Sequence, residues 1–309
     1  AVRGKVSPLR YRAYLALIHE NNVRRNLAIR RQTSELLVAL NAERIRPLLL
    51  KGVLALVTDH DRDPGARMMS DIDIVVAREE RSRAEGALRA LGYHAASRYP
   101  EGHHAVAEFK RPGDPAAVDL HIELIDQPYL MCGEEALGRS RMLDLQEGGG
   151  CAIPTATPRV LHTLLHAQVH HLGQYYRGDI VLRQLHDFCW IAEKYAASID
   201  WSEIDGRMTA QRMRPVLESY LLAGNTLFGL AWPLARPPSP AARLHNMRCR
   251  LQLRAPQRLE DRRQVLWPPV DGHENGDLVA ALERREARGE AHPRVEEGGR
   301  AGLCKPEPA

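Results

Sequence analysis

Cysteine is scarce in this chain of 309 residues, and its spacing does not indicate metal binding. The five cysteines are Cys132, Cys151, Cys189, Cys249 and Cys304, and no two of them form a C-x-x-C pair. Because the cysteines are distant from one another and odd in number, neither a zinc site nor a disulfide framework is indicated. Because free cysteines are typical of a reducing compartment, we expect a cytoplasmic protein.

Aromatic residues and long apolar runs are also few. Aromatic side chains make up 5% of the chain, so the core must consist mainly of Leu, Val, Ile and Ala. The longest uncharged stretch, residues 219–235, contains polar residues and a proline and is shorter than the roughly 18 apolar residues that a membrane span needs. Arg10 and Arg12 interrupt any early apolar run, which argues against a signal peptide. We therefore expect a soluble protein with no membrane partner.

The excess of positive charge is small and lies at one end of the chain. Lys and Arg number 43 against 39 Asp and Glu, which gives a net charge of +4. Residues 1–46 carry ten basic and three acidic side chains. A basic face in this segment could meet phosphates, or it could be the solvated surface of an arginine-rich helix. The overall charge balance by itself does not imply a nucleic-acid partner.

Periodicity and composition divide the chain into regions, and the length suits about two domains. The predicted regions are a basic helical segment (1–45), an α+β core (46–127), a linker (128–157), a helical domain (158–232) and a Pro- and charge-rich, partly disordered tail (233–309). The run Gly148-Gly149-Gly150 is expected to be a flexible part of the linker. The predicted fold class is α+β, with a small mixed or antiparallel sheet and helices followed by a helical domain.

Three carboxylates occupy predicted strand positions in the α+β core. Asp71 and Asp73 begin an apolar run, and strand alternation places them on one face. Asp119 is flanked by apolar residues in a later strand. Like charges on one strand face are costly unless a cation offsets them, and three carboxylates could hold a pair of Mg²⁺ ions for phosphoryl transfer. Alternatively, Asp71 caps a turn and Asp119 pairs with an arginine.

Two further D-x-D pairs overlap at Asp59, Asp61 and Asp63. An EF-hand loop that begins at Asp59 would need Gly at its sixth position and Glu at its twelfth. Pro64 and Ser70 stand at these positions. The pattern therefore excludes an EF-hand and favours a solvated acidic loop.

The core motifs resemble those of nucleotidyltransferases of the DNA polymerase β-like superfamily. The matching segments are Leu50-Lys51-Gly52, Arg67-Met68-Met69-Ser70-Asp71-Ile72-Asp73-Ile74-Val75 and Val118-Asp119-Leu120-His121. In that superfamily a glycine turn follows the first strand, a D-x-D lies on the second, and a third Asp lies on a later antiparallel strand. The resemblance covers residues 46–127 and continues more loosely into 158–195. It is closest to an uncharacterised bacterial branch with Lys-Gly in the first turn.

The resemblance implies a metal site and a nucleotide site. Mg²⁺ or Mn²⁺ would be bound by Asp71, Asp73 and Asp119. Asp119 would also help to deprotonate the acceptor hydroxyl, and Gly52 would let the backbone approach the triphosphate. Phosphate oxygens would be contacted by Lys51, Arg67 and Ser70. The superfamily usually places a small polar residue after the glycine, whereas here Val53 follows it, so Lys51 could supply charge instead.

A histidine stripe marks the predicted helical domain. His162, His166 and His170 recur every four residues, which places them on one helix face. No Glu follows either of the first two, so the pattern does not fit an H-E-x-x-H metalloprotease. The stripe could line a groove, bind the acceptor or, least favoured, bind a metal. Asp187 could orient one of these imidazoles or pair with Arg183.

The leading hypothesis is a Mg²⁺-dependent nucleotidyltransferase that transfers NMP from an NTP to an unidentified acceptor. The acceptor would be a small molecule, a peptide or a protein, and its candidate binding residues are His121, His166, His170 and Asp187. The alternative is a catalytically silent accessory protein of the same fold from a biosynthetic cluster, and convergence of the three carboxylates would distinguish the two. A weaker hypothesis is an RNA-directed transferase that uses the basic first segment. The chain has no nucleophile elbow, P-loop or dinucleotide fingerprint.

Overall fold

The computed structural model describes residues 8–59 and 63–254. Its helices are α1 (Pro8–Ala42), α2 (Lys51–Thr58), α3 (Arg81–Ala90), α4 (Gly133–Gly138), α5 (Ala156–Gln168), α6 (His170–Arg177), α7 (Leu182–Lys194), α8 (Trp201–Ala210), α9 (Arg214–Phe228) and α10 (Pro240–Arg254). Its strands are β1 (Leu48–Leu49), β2 (Asp71–Val75), β3 (His94–Arg98), β4 (Ala105–Lys110), β5 (Ala117–His121), β6 (Ser140–Asp144) and β7 (Gly150–Pro154). The predicted α+β class is confirmed.

The strands form one mixed sheet of seven in the order β3-β4-β5-β2-β1-β7-β6. The central β2 runs parallel to β5 and antiparallel to β1, and β1 in turn runs parallel to β7. The outer pairs β3–β4, β4–β5 and β6–β7 are antiparallel. The two strands that carry the predicted carboxylates are therefore direct neighbours at the centre of the sheet.

Alternation along β2 separates a core face from a polar face. Ile72 and Ile74 are fully buried in the apolar cluster that α1, α2 and α3 form with one side of the sheet. Asp71, Asp73 and Val75 therefore lie on the opposite side. Val75 belongs to a second apolar cluster, which is built mainly from α5, α7, α8 and α9. The period of two along this strand thus directs both aspartates toward the helical part of the protein.

Helix α1 holds the loop that leads into β2. The Asn26 side-chain amide donates hydrogen bonds to the backbone carbonyl oxygens of Pro64 (2.6 Å) and Arg67 (2.7 Å). Arg25 donates to the Met69 carbonyl oxygen at 3.2 Å, and Arg30 forms an ion pair with Glu147 at 2.7 Å. Arg25 of the basic first segment therefore helps to fix the loop beside the predicted metal site, whereas Arg30 holds the turn between β6 and β7.

Residues 128–157, predicted as a linker, are instead part of the fold. They contain α4, β6 and β7, and both strands extend the sheet. Gly148 and Gly149 lie in the turn between β6 and β7, at φ of 105° and 84°, and Gly150 begins β7. A Cβ at Gly149 would lie 2.6 Å from the Cβ of Leu37, so α1 packs directly on this turn. The glycines serve a tight turn and a close approach, which composition alone does not distinguish from flexibility.

The helical region extends further along the chain than the predicted end at residue 232. Helix α9 has a proline in its first turn and ends at Gly229, which is left-handed with a φ of 77°. The chain then continues into α10, where Ala242 and Cys249 are buried. Residues 240–254, predicted to belong to the tail, are thus helical. The rest of the predicted tail, residues 255–309, lies outside the described residues.

Two further expectations from composition concern cysteines and membrane spans. Within residues 8–59 and 63–254, the four cysteines Cys132, Cys151, Cys189 and Cys249 are free. None of the helices described here combines the length and apolar character that crossing a bilayer requires.

Candidate functional site

A cavity of about 640 Å³ opens between the polar face of the sheet and helices α5 and α7. The sheet side contributes Asp71, Asp73, Asp119 and His121, and α2 contributes Lys51. The loop before β2 contributes Arg67 and Ser70. The helical side contributes Arg159, His162, His166, Arg183 and Asp187. This volume is in the range of small-molecule and cofactor sites.

Strand register brings the carboxylates together. The parallel pairing of β2 with β5 sets Asp73 directly opposite Asp119, and Val75 opposite His121. Ligand atoms of Asp73, Asp119 and His121 all lie within 4.8 Å of one another. Asp71 lies two residues before Asp73 on the same face and lines the same cavity. Strand parity and pairing thus collect three acidic side chains on one wall.

Asp73 is a buried carboxylate with two nitrogen partners. Its side chain is 1% exposed and accepts a hydrogen bond from Lys51 Nζ at 2.6 Å. His121 Nε2 lies 3.3 Å from the same oxygen. Burial by itself would raise the pKa of Asp73, but the ammonium of Lys51 and the imidazole of His121 hold that pKa well below its usual range. Asp73 is therefore ionised.

The pKa values of Asp119 and Asp71 are raised, whereas that of Asp73 is lowered. Burial, followed by the charge of Asp73, raises the pKa of Asp119 to about 7. The same two causes raise the pKa of Asp71. One carboxylate oxygen of Asp119, Oδ1, is buried and has no hydrogen-bond partner among the described residues. These oxygens fit a divalent cation that prefers oxygen ligands, since such an ion would offset their repulsion and occupy the unpartnered acceptor.

The first turn of α2 is strained at the site. Lys51 has a φ of 50°, in the left-handed region that residues other than glycine and asparagine rarely adopt. Backbone strain of this kind concentrates at functional sites. A Cβ at Gly52 would lie 3.2 Å from Met69 Cε and 3.3 Å from Arg67 Nη2. The glycine therefore makes room for the loop that carries Arg67.

An ion pair joins the loop before β2 to helix α7. Arg67 Nη1 lies 2.6 Å from Asp187 Oδ2, and the two side chains are 21% and 12% exposed. Sequence spacing predicts that Asp187 orients a histidine or pairs with Arg183 one turn earlier. The structure instead pairs it with a residue 120 positions away, which spacing within a helix cannot reveal.

The acidic loop prediction is wrong for Asp59. Its side chain is fully buried and forms an ion pair with Arg159 at 2.6 Å, and Tyr195 donates a hydrogen bond to it at 3.2 Å. Asp63 is exposed and contacts His19 at 2.7 Å, while Asp61 lies outside the described residues. A distant arginine on α5 decides the difference between these two aspartates.

Two histidines of the stripe, His162 and His166, line one side of the cavity. The ring centroids of His162 and His166 are 5.9 Å apart, and those of His166 and His170 are 5.3 Å apart. Helix α5 ends at Gln168, so His170 starts α6 and contacts Asp126 (3.4 Å) rather than lining the cavity. Burial lowers the pKa of His162 to about 3 and that of His166 well below its usual value, so both rings are neutral.

Several cavity residues were not predicted. Tyr99, His103 and His104 enter from the segment between β3 and β4, and Arg159 and Arg183 enter from the helices. The sequence feature that could have indicated Tyr99, His103 and His104 is the His-His pair directly before β4, which pairs with the strand of Asp119. Arg183 is exposed at the start of α7 and is a candidate phosphate contact.

Comparison with family models agrees with this geometry at the level of the family. None of the curated proteins that were compared with the chain matches it. The solved structure of the antibiotic-resistance factor ANT(2'')-Ia is similar at 12% identity with a TM-score of 0.33, and the match covers 78% of this chain and 99% of that one. A family model described as "uncharacterised nucleotidyltransferase" matches residues 3–229. Because that match spans most of the chain, this protein belongs to the family of uncharacterised nucleotidyltransferases.

Proposed function

We propose that this protein is a Mg²⁺- or Mn²⁺-dependent nucleotidyltransferase that transfers NMP from an NTP to an acceptor hydroxyl and releases pyrophosphate. The observation that carries the proposal is the placement of Asp71, Asp73 and Asp119 on one cavity wall at the centre of the sheet. Their convergence favours catalysis over a silent accessory protein of the same fold. The cavity is large enough for a nucleotide.

The metal would be held by the three carboxylates. A bound divalent cation would neutralise charge on the transferred phosphoryl group and on the departing pyrophosphate. Asp73 is ionised and ready to bind it, whereas Asp71 and Asp119 each have a raised pKa. The ammonium of Lys51 forms an ion pair with Asp73. The Lys51 ammonium therefore lies close to the position that the phosphate oxygens of a metal-bound NTP would approach.

Basic side chains around the cavity would bind the triphosphate. Arg67 is held in place by Asp187, and Arg183 lies at the cavity edge on the same helix as Asp187. Ser70, directly before β2, adds a hydroxyl to the same wall. Lys51 and Arg67 with Ser70 would orient the donor, since charge-assisted hydrogen bonds to phosphate are strong and directional.

The acceptor hydroxyl would attack the α-phosphorus as the bond to pyrophosphate breaks, and its proton would pass to Asp119. The neutral imidazoles of His162 and His166 on the opposite wall suit hydrogen bonding to an uncharged acceptor. The acceptor class is a small molecule or a peptide group that fits a cavity of about 640 Å³.

Pyrophosphate release with Mg²⁺ and with Mn²⁺ tests the proposal across NTPs and acceptor pools. We expect Asp73→Asn to abolish release, because it removes a charge from the metal ligands. Asp144→Asn, on a side chain that is 76% exposed and does not line the cavity, is the matched control and should retain activity. Circular dichroism establishes that both variants are folded. A folded Asp73→Asn protein with full activity would overturn the assignment of the carboxylates.

A further inference from the structure

Three histidines and an aspartate gather beside the proposed transfer site. His103 and His104 directly precede β4, and Asp126 follows β5. Because β4 and β5 are antiparallel and Ala105 pairs with His121, the residues before β4 meet those after β5. His170, the first residue of α6, reaches the same place. Three separate segments thus contribute to one cluster.

The distances within the cluster are those of potential metal ligands. His104 Nδ1 lies 2.6 Å from Asp126 Oδ1, and His103 Nε2 lies 3.8 Å from the same oxygen. One ligand atom from each of His103, His104 and Asp126 lies within 4.8 Å of the others. His170 Nδ1 lies 3.4 Å from Asp126 Oδ2. Three imidazole nitrogens therefore surround a single carboxylate.

The rings are held in position before any cation arrives. Tyr99 stacks on His103 with centroids 4.4 Å apart and an angle of 7° between the planes. The ring of His170 meets that of His104 edge-on at 4.4 Å. The His104 carbonyl oxygen accepts hydrogen bonds from the backbone N–H groups of Ile122 and Glu123. Such preorganisation is what tight metal binding requires, because little order has to be gained on binding.

We propose that His103, His104 and Asp126, with His170 as a fourth candidate ligand, form a binding site for a divalent d-block cation of the Zn²⁺ type. Two or three imidazoles and one carboxylate are typical Zn²⁺ ligands, whereas Mg²⁺ prefers oxygen. The proton that His104 Nδ1 shares with Asp126 moves to Nε2 when the cation takes its place. Since His103 and His104 line the cavity, a coordination position left open would face the proposed acceptor. The site does not depend on nucleotidyl transfer.

Co²⁺ is the probe, because its visible absorption reports ligand number and type. We expect the metal-free full chain to bind Co²⁺ with the intense bands of a four-coordinate nitrogen and oxygen site, and Zn²⁺ to displace it. His103→Ala and Asp126→Asn should each weaken Co²⁺ binding by at least about tenfold. The control His94→Ala removes an exposed histidine of β3 and should bind Co²⁺ as the unaltered chain does.

One variant, Asp73→Asn, separates this site from the carboxylate site. Asp73→Asn should lose Mg²⁺-dependent transfer but keep the Co²⁺ bands, so failure of one proposal leaves the other measurable. Circular dichroism of each metal-free variant establishes that it is folded. The inference is overturned if the chain binds no Co²⁺ saturably, if His103→Ala and Asp126→Asn bind it unchanged, or if the bands disappear in Asp73→Asn.

Discussion

Asp119 makes the metal-free protein less stable at neutral pH than a neutral side chain at that position would. Burial and the nearby charge of Asp73 raise its pKa to about 7 from an ordinary value of 3.8. Between these two values the folded protein binds more protons than the unfolded chain, so the free energy of unfolding falls as the pH rises. The loss is at most roughly 1.4 kcal/mol per pH unit within this window and ends near pH 7.

Asp119→Asn should therefore stabilise the metal-free protein, and the gain should grow from pH 4 to pH 7. The measurement is the thermal midpoint of both proteins at several pH values, with Asp144→Asn as an exposed control. Mg²⁺ should then stabilise the unaltered protein more than the variant. A gain of equal size at pH 4 and pH 7 would contradict this account.

Asp187 is expected to act through Arg67. Asp187→Asn keeps the shape of the side chain but removes the charge that holds the guanidinium at 2.6 Å. We expect the KM for the NTP to rise by about tenfold, which corresponds to ~1.4 kcal/mol, with a smaller change in kcat. Steady-state kinetics measures both parameters.

The matched control for this prediction is Glu193→Gln, an exposed carboxylate on the same helix. It should leave the KM for the NTP unchanged. If Asp187→Asn instead lowers kcat and leaves KM as it was, Asp187 does not position a nucleotide contact.

At the scale of the element, helix α1 supports the site through hydrogen bonds to the loop that precedes β2. Asn26 is buried and satisfies two backbone carbonyl groups of the loop at residues 64–67. Asn26→Ala would leave both carbonyls without this donor, and the cost in free energy of unfolding should be about 1–3 kcal/mol. We also expect faster hydrogen exchange in the loop and a higher KM for the NTP.

Asn21→Ala on an exposed turn of the same helix is the control for Asn26→Ala. Both variants lose the same side-chain atoms and gain the same helix propensity. The difference between their free energies of unfolding therefore reports the contacts of Asn26 with the loop. Equal hydrogen exchange at residues 63–70 in the two variants would show that α1 does not fix the loop.

At the scale of the whole molecule, a buried ion pair ties α2 to the helical region. Asp59 follows α2 and pairs with Arg159 of α5, and their side chains are 0% and 7% exposed. Asp59→Asn leaves a buried arginine without its charge partner, which should cost about 3 kcal/mol of unfolding free energy. Asp63→Asn in the same loop changes an exposed side chain and should have a much smaller effect.

Denaturant unfolding monitored by circular dichroism and by tryptophan fluorescence tests this prediction. Trp190 lies in α7 of the helical region, close to Arg159, so a single transition seen by both probes would indicate that sheet and helices unfold together. An Asp59→Asn protein as stable as Asp63→Asn would contradict the role given to the ion pair. Shared apolar packing supports one transition, since Leu48 and Val75 of the sheet belong to the same cluster as Leu161 and Phe188.

The sequence determined the local features of this protein. Alternation in β2 placed Asp71 and Asp73 on one face, and the flanking apolar residues placed Asp119 in a strand, because side-chain direction in a strand follows from a period of two. The order of the motifs was enough to indicate the family that the comparisons show. The α+β class and most helices also follow from periodicity, which is a property of neighbouring residues.

Only the tertiary structure decided which distant residues meet. Neither the pairing of Asp187 with Arg67 nor the burial of Asp59 against Arg159 has a signal in local spacing, because each pair joins segments about 100 or more positions apart. Strands β6 and β7 also depend on distant residues. Their sequence alone is typical of a linker, and they form strands because β1 pairs with β7 and α1 packs on the turn between β6 and β7. The cluster of His103, His104, Asp126 and His170 likewise exists only because β4 and β5 are antiparallel and α6 begins where they meet.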